Sequence, residues 1–178
     1  MKISVVTTVY NRPEHLRLFL AALQIQTRRP DEIVVSDDGS DPDAAAAVER
    51  HLAGCSIPSK RIWEPHDGYR LSAARNRAIR AATGDYLVFA DCDIALLPDA
   101  LAIHERRAAP RRLLAGHRGI LSEEATRELM QSAPAPTETP QPALPLLAAS
   151  PTTDPRPPVI EGAAIHNPAY GEAGISNP

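Results

Sequence analysis

The sequence predicts an α/β domain built on a mainly parallel sheet with helices packed on it. Short apolar, β-branched runs alternate with helix-period stretches through the N-terminal part of the chain, which is typical of βαβ units. The first run is apolar almost without interruption, as expected of a strand buried on both faces of a sheet. A length of 178 residues allows one such domain and an appendage.

Four strands are predicted from runs of this kind. They are residues 3–9 (ISVVTTV), 32–36 (EIVVS), 61–63 and 85–90 (DYLVFA), with a further short run at 113–115. The second strand ends in Asp37-Asp38-Gly39-Ser40, and the fourth runs directly into Asp91-Cys92-Asp93. Acidic residues therefore follow two of the predicted strands.

Helices are predicted between these strands. Asn11 is expected to be the N-cap of the first, and Pro13 lies just inside it, where a missing N–H costs nothing. This helix is expected to end near residues 29–30. Gly84 is expected to close the third helix. The other three helices are predicted at about residues 42–52, 71–82 and 98–107.

The composition changes near residue 130. Eleven of the eighteen prolines lie from residue 131 onward, with few aromatic and few charged residues. Such a segment cannot bury enough apolar surface to offset its ordering entropy. The sequence therefore predicts a domain over residues 1–130 and a disordered, proline-rich tail over residues 131–178.

Charge and cysteine content narrow the partners and the compartment. A net charge of −3 and a pI near 6.1 provide no basic footprint, so nucleic acid is not expected as a partner. Cys55 and Cys92 are far apart and form no C-x-x-C motif, which favours a reducing cytoplasm. No apolar run reaches bilayer length, which leaves peripheral association with the inner face of the plasma membrane open.

Polar residues cluster where three strands end. Ligands of open α/β sheets bind in the crevice at the carboxyl ends of the strands. The second strand leads into Asp38, and the fourth leads into Asp91 and Asp93. The first strand contains Thr8 near its end and leads into a loop with three further candidates, Tyr10, Asn11 and Arg12.

The acidic triplet is the strongest metal candidate. Asp91 and Asp93 are separated by one residue, so both carboxylates can reach one hard cation in a turn. Mg²⁺ or Mn²⁺ in such a site is usually shared with substrate phosphates. Taken alone, D-x-D also occurs by chance in loops, but its place directly after an apolar strand favours a cation site.

Two further features bear on a nucleotide site. Asp37-Asp38 suits an Asx-turn, and it also suits a carboxylate that accepts hydrogen bonds from a base or a ribose. On the third helix, Arg75 falls within the predicted core-facing arc, whereas Arg77 falls outside it. Arg75 is therefore expected to meet an anion, either a strand-end carboxylate or a diphosphate. Asp67 lies in a loop that either covers the ligand or merely connects two elements.

Three motifs together resemble the N-terminal half of family 2 glycosyltransferases. They are SVVTTVYNRPEHL, DEIVVSDDGSD and DGYRLSAARNRAIRAATGDYLVFADCD, in this order, over about residues 1 to 120. The resemblance implies a GT-A, Rossmann-like fold, with a mainly parallel sheet and helices on both faces. It also implies transfer of a sugar, with inversion, from a nucleotide diphosphate donor, commonly a UDP-sugar, to a glycan or lipid-linked acceptor. The cofactor would be Mn²⁺ or Mg²⁺.

The resemblance also implies residue roles. Thr8 and Tyr10 would line the nucleoside pocket, Asp38 would bind the base, and Arg75 would lie near uracil or phosphate. Asp91 would approach the ribose, and Asp93 would hold the metal. No general base is identifiable in the sequence.

The resemblance ends where the family continues into an acceptor-binding half. That half is expected to be missing here. The leading hypothesis remains a transferase, whose acceptor half a second chain could supply, and a truncated, inactive nucleotide-sugar-binding module is the main alternative. Nucleotidyl transfer is a further reading, but the loop after the first strand lacks glycine. A phospho-accepting receiver domain would carry paired acids after the first strand rather than the second.

Overall fold

The computed structural model describes residues 1–116 and 120–132, together with the backbone of residues 163–166. Strands and helices alternate from the first residue to the fourth strand, which confirms the predicted α/β class. The elements are β1 (Ile3–Val9), α1 (Pro13–Gln24), β2 (Glu32–Asp37), α2 (Pro42–Ala53), β3 (Ser59–Trp63), α3 (Leu71–Ala81), β4 (Tyr86–Phe89), α4 (Ala100–Arg107), β5 (Leu113–Leu114), α5 (Glu123–Ser132) and β6 (Ala163–His166).

The strands form one sheet in the order β3-β2-β1-β4-β6-β5. The first four run parallel, with Val5 of β1 opposite both Ile33 of β2 and Val88 of β4. β6 is antiparallel to β4 and to β5. A mainly parallel sheet was predicted, and the four-stranded parallel half confirms it.

Helices cover both faces of the parallel half. Val5, Ile33 and Val88 pack in one large core with apolar side chains of α1, α2 and α4. Val6 and Val34 face the other way and pack with Ala78 of α3. Because neighbouring residues of a strand point to opposite faces, a run such as SVV serves both cores. Helices on both faces were predicted and are confirmed.

α1 ends at Gln24, several residues before the predicted end. The Gln26 side chain accounts for this early end. Its amide donates to the carbonyl oxygens of Ala22 at 3.2 Å and Leu97 at 2.7 Å, and its oxygen accepts from the Leu101 backbone at 3.2 Å. Gln26 thereby satisfies a helix-terminal carbonyl and ties the end of α1 to the segment before α4.

Gly84 does not close α3 as expected. The C-cap is Ala82, in an extended conformation with ψ of 143°. Gly84 is buried at the start of β4, where an added Cβ would lie 2.4 Å from the Ser4 Oγ and 2.7 Å from the Ser4 backbone nitrogen. Glycine is needed here because two segments approach closely, not because the helix ends.

The C-terminal segment departs from the prediction at six described residues, 131–132 and 163–166. Residues 163–166 form β6, which pairs Phe89↔Ala163 and Tyr86↔His166 with β4, although they belong to the segment expected to be disordered. The free edge of β4 supplies the backbone partners that the tail composition alone did not suggest. α5 continues to Ser132, and the Met130 carbonyl accepts from Arg17 at 2.6 Å. The rest of residues 131–178 lies outside the described residues.

None of the described helices combines the length and the apolar character that crossing a bilayer demands.

Candidate functional site

The predicted strand-end loops meet at one edge of the sheet. β1 lies between β2 and β4, so the carboxyl ends of all three strands are neighbours. The Asp38 N–H donates to the Val9 carbonyl at 2.9 Å, and the Ala90 N–H donates to the Val6 carbonyl at 3.2 Å. These bonds hold the loops after β2 and β4 against β1, which places Tyr10, Asp38 and Asp91 in one neighbourhood.

Each carboxylate of the acidic triplet pairs with an arginine. Arg75 NH2 lies 2.7 Å from Asp91 Oδ1, and Arg12 NH1 lies 3.5 Å from Asp93 Oδ2. Arg75 thus has the anionic partner that its place on the helix predicted, and that partner is a strand-end carboxylate. The Asp91 and Asp93 side chains are 46% and 43% exposed, so a ligand from solvent can reach both.

The donor set fits a divalent cation that is completed by substrate. Within the described residues, no group of three or more His, Cys, Asp or Glu side chains is placed to hold a metal ion. Asp91 and Asp93 together offer two carboxylates, and Mg²⁺ in proteins is commonly held by one or two carboxylates together with substrate phosphates and water. Both carboxylates already attract a positively charged arginine side chain at this edge of the sheet.

Cys92 lies between these aspartates but is not a candidate ligand. Cys92 is 7% exposed and packs in the core below the loop. Burial, together with the negative charge of Asp93, raises the pKa of the Cys92 thiol to about 11. Because the thiolate is the form that binds metal, the buried, protonated thiol acts as a core residue.

The adjacent aspartates after β2 face different surroundings. Asp37 is fully buried, and its Oδ2 accepts from Arg61 Nε at 3.0 Å and Arg61 NH2 at 2.7 Å. Its Oδ1 accepts from the Ser40 backbone at 2.8 Å. Asp37 therefore stabilises the turn, as the Asx-turn interpretation of this pair proposed.

Asp38 lies toward the crevice. Its Oδ1 lies 3.3 Å from Arg77 NH2, and its Oδ2 lies 3.5 Å from the Nδ1 of His66. The same His66 nitrogen is 3.1 Å from the Asp38 carbonyl oxygen. The side chain is 13% exposed, so it is held by neighbours rather than free in solvent.

Arg77 was missed by the sequence analysis. The predicted core arc of α3 included Arg75, but the buried residues of α3 are Ala74 and Ala78, with Ala81 packed against the same small cluster. The core-facing stripe is thereby rotated toward Arg77. A stripe of small residues facing Val6 and Val34 was the available signal, because alanines let a helix pack closely on a sheet.

The sequence also predicted no specific role for His66. Its ring stacks on Tyr10 with centroids 4.3 Å apart and planes 12° apart. Gly39, with φ of 83°, brings the β2–α2 turn so close that an added Cβ would lie 2.2 Å from the His66 backbone nitrogen. Tyr10 is 44% exposed, and Thr8 is half-buried opposite Ser36, on the face that α3 covers.

Two other predicted site residues, Asn11 and Asp67, pair with neighbouring side chains. Asn11 is not the N-cap of α1, which is Arg12. Instead, the Asn11 side chain accepts from the Asp41 backbone at 2.8 Å and donates to the Asp41 carboxylate at 3.0 Å, at the start of α2. Asp67 is 80% exposed and pairs with Arg70 at 3.1 Å. Within the described part of the chain, no hydrogen bond or ion pair joins Asp67 to the acidic triplet or to Asp38.

A comparison with family models decides the classification. Residues 4–132 match the model described as "Glycosyl transferase family 2", and this is more than half of the chain. The chain belongs to glycosyl transferase family 2. The resemblance found in the three motifs is thereby confirmed.

The curated relatives are longer than this chain. A hyaluronan synthase from Pasteurella multocida is 35% identical over 103 residues, which cover 57% of this chain and 10% of that protein. A validoxylamine A glucosyltransferase from Streptomyces hygroscopicus subsp. limoneus is 34% identical over 120 residues, covering 64% of this chain and 26% of that protein. The chain therefore spans a tenth to about a quarter of these relatives.

Solved structures support the GT-A fold of this family member. TarS 1-349 from S. aureus in complex with UDP-GlcNAc is 26% identical, with a TM-score of 0.55 over 67% of this chain and 35% of that one. The mannosyltransferase PcManGT from Pyrobaculum calidifontis, in complex with GDP-Man and Mn²⁺, is 22% identical, with a TM-score of 0.58 over 72% and 38%. The second likeness concerns the fold alone.

Proposed function

We propose that this edge of the sheet binds a nucleotide diphosphate sugar, specifically a UDP-sugar, and that the sugar is transferred to a glycan or lipid-linked acceptor with inversion. One observation carries the proposal. The polar side chains of Tyr10 and Asp38 and an accessible pair of carboxylates at Asp91 and Asp93 follow neighbouring strands of the same sheet edge. A nucleotide diphosphate has the matching order of base, ribose and phosphates.

The residues have distinct roles in this proposal. Tyr10 and Thr8 line the nucleoside pocket, and Asp38 accepts a hydrogen bond from the base. Asp91 approaches the ribose and shares a Mn²⁺ or Mg²⁺ ion with Asp93. Arg75 and Arg12 neutralise these carboxylates in the free protein, where two like charges would otherwise lie close together. In the bound state they remain near enough to pair with diphosphate oxygens.

The transfer step breaks the bond between the anomeric carbon and the diphosphate oxygen. The electron pair leaves with the diphosphate, and an acceptor oxygen forms the new bond on the opposite face of the sugar, losing its proton to a base. Asp91 and Asp93 would hold the metal ion, which would neutralise the charge that develops on the leaving diphosphate. Binding and orientation of the donor are the parts of this step that Asp38, Asp91 and Asp93 supply.

A second candidate function is donor binding without transfer. Each of the carboxylates predicted for the site, within the described residues, has a cationic partner: Asp38 has Arg77, Asp67 has Arg70, and the two triplet aspartates have Arg75 and Arg12. A general base for the acceptor hydroxyl needs a proton-accepting group within hydrogen-bond reach. This pairing favours a nucleotide-sugar-binding module as the alternative.

Calorimetry with UDP and a panel of UDP-sugars, with and without Mn²⁺, tests the donor site. We expect Mn²⁺ to strengthen binding to the wild type, and Asp93→Ala to lower the affinity in Mn²⁺ to the value measured without metal. Asp85→Ala is a matched control, because Asp85 lies at the opposite end of β4 and accepts from the Lys2 backbone at 3.0 Å. Metal-independent binding that Asp93→Ala leaves unchanged would contradict the metal role.

Product analysis separates the two candidate functions. Release of UDP from a UDP-sugar in the presence of glycan or lipid-linked acceptors supports transfer. Tight donor binding without UDP release, with or without a second chain, supports the binding module.

A further inference from the structure

We propose that Arg77 is a positioning residue for nucleotide recognition, acting through Asp38 to set affinity and base selectivity. The inference rests on the proposed role of Asp38 as the group that accepts a hydrogen bond from the base. Arg77 itself need not touch the nucleotide. It fixes where the Asp38 carboxylate points.

The guanidinium of Arg77 joins three elements. NH2 lies 3.3 Å from Asp38 Oδ1 at the end of β2, and NH1 lies 3.1 Å from Glu64 Oε2, directly after β3. Arg77 belongs to α3, which packs through Ala74 and Ala78 on the sheet. One planar fork thus links two strand ends to the helix that covers them, and such a fork restrains the carboxylates that it contacts.

The surroundings separate Arg77 from the neighbouring arginine on the same helix. The Arg77 side chain is 11% exposed, whereas Arg75 is 41% exposed and pairs with Asp91. The Arg77 Nε is buried and has no hydrogen-bond partner among the described residues. Because an unpaired buried donor costs free energy, burial does not favour this position of the side chain. The ion pairs with Asp38 and Glu64 explain it instead.

Both oxygens of the Asp38 carboxylate have a neighbour, and the side chain is 13% exposed. Arg77 approaches Oδ1, and His66, which stacks on Tyr10, lies near Oδ2 at 3.5 Å. A carboxylate is an acceptor only, so it matches the N3–H of uracil and meets the N3 lone pair of cytosine unfavourably. If the carboxylate rotated, this match would be lost. The orientation that Arg77 imposes therefore selects the base.

Calorimetry with UDP and CDP on the full chain tests this inference. We expect Arg77→Gln to weaken UDP binding about tenfold, as residues within one charged network couple by this order of magnitude, and to reduce the preference for UDP over CDP. Arg77→Lys keeps the charge but not the fork, so it should fold and still lose part of the preference. Arg80→Gln, on the exposed side of the same helix, is the matched control and should bind as the wild type does.

A double-mutant cycle with Asp38→Asn distinguishes action through Asp38 from general loosening of the site. If Arg77 acts through Asp38, then Arg77→Gln has no further effect on UDP binding once Asp38 is Asn. Full additivity overturns the inference, as does a folded Arg77→Gln protein with wild-type affinity and selectivity. A wild type that binds no nucleotide overturns the proposed function instead, so the two failures are distinguishable.

Discussion

The adjacent residues Asp37 and Asp38 allow a sharp test, because the same Asp→Asn change should have opposite consequences one residue apart. Asp37 is fully buried and accepts three hydrogen bonds, two of them from Arg61. Breaking a buried ion pair by removing one partner costs about 3–5 kcal/mol. Arg61 keeps Glu49 as a partner at 2.8 Å, so we expect the lower end of that range, about 3 kcal/mol.

Thermal denaturation followed by circular dichroism measures this difference. For a chain of this size a loss of 3 kcal/mol lowers the Tm by about 6–12 °C. Asp38→Asn weakens the longer contacts with Arg77 and His66 and should cost no more than about 1.5 kcal/mol, while UDP binding is strongly weakened. Equal destabilisation by the two substitutions, or an Asp37→Asn protein as stable as the wild type, would refute the assignment of a structural role to Asp37 and a binding role to Asp38.

Three further predictions concern stability and reactivity. Burial alone would raise the pKa of Glu32, but hydrogen bonds from Ser4, Thr83 and Lys60 outweigh it and lower the pKa to about 2. A carboxylate with a depressed pKa stabilises the fold at any pH above its pKa in the unfolded chain, which is near 4.5. Urea unfolding should therefore show the wild type about 3 kcal/mol more stable than Glu32→Gln at neutral pH. This difference should shrink as the pH falls from 4.5 to 2. An unchanged difference at pH 3 argues against this network. Gly84→Ala should cost about 1–3 kcal/mol in the same assay, because its Cβ meets Ser4; a neutral change would exclude the clash. In a Cys55→Ser background, Cys92 should react with a disulfide reagent only after unfolding, and rapid native labelling would contradict its burial.

The parallel half of the fold was predictable because each strand is marked by its own residues. A strand buried on both faces needs a short apolar run, and ISVVTTV, EIVVS and DYLVF are such runs. The loops that follow parallel strands must lie at one edge, so the convergence of the loops with Tyr10, Asp38 and Asp91 was predictable without knowing the strand order. These features depend on local sequence and on simple topology.

The features that were missed depend on how elements pack. The roles of Arg77 and His66 arise from the rotation of α3 on the sheet, which only a stripe of small residues indicated, and from the close approach at Gly39. Asn11 was assigned to the helix that follows it, but its side chain contacts Asp41 at the start of a different helix. The pairing of residues 163–166 with β4 joins segments far apart in the chain, and composition does not encode such pairing.

The place of β6 in the sheet also sets an order of events during synthesis. The ribosome delivers β4 at residue 89 and β6 only at residue 163, so β4 is an unprotected edge strand while the intervening chain is made. Closing that long loop costs entropy, which slows the pairing of β6 with β4. An open strand edge is meanwhile a template for pairing with another chain. β5 has to wait as well, because its strand pairing is with β6. The strand that precedes the acidic triplet therefore stays open to pairing with another chain until residue 166 has been made.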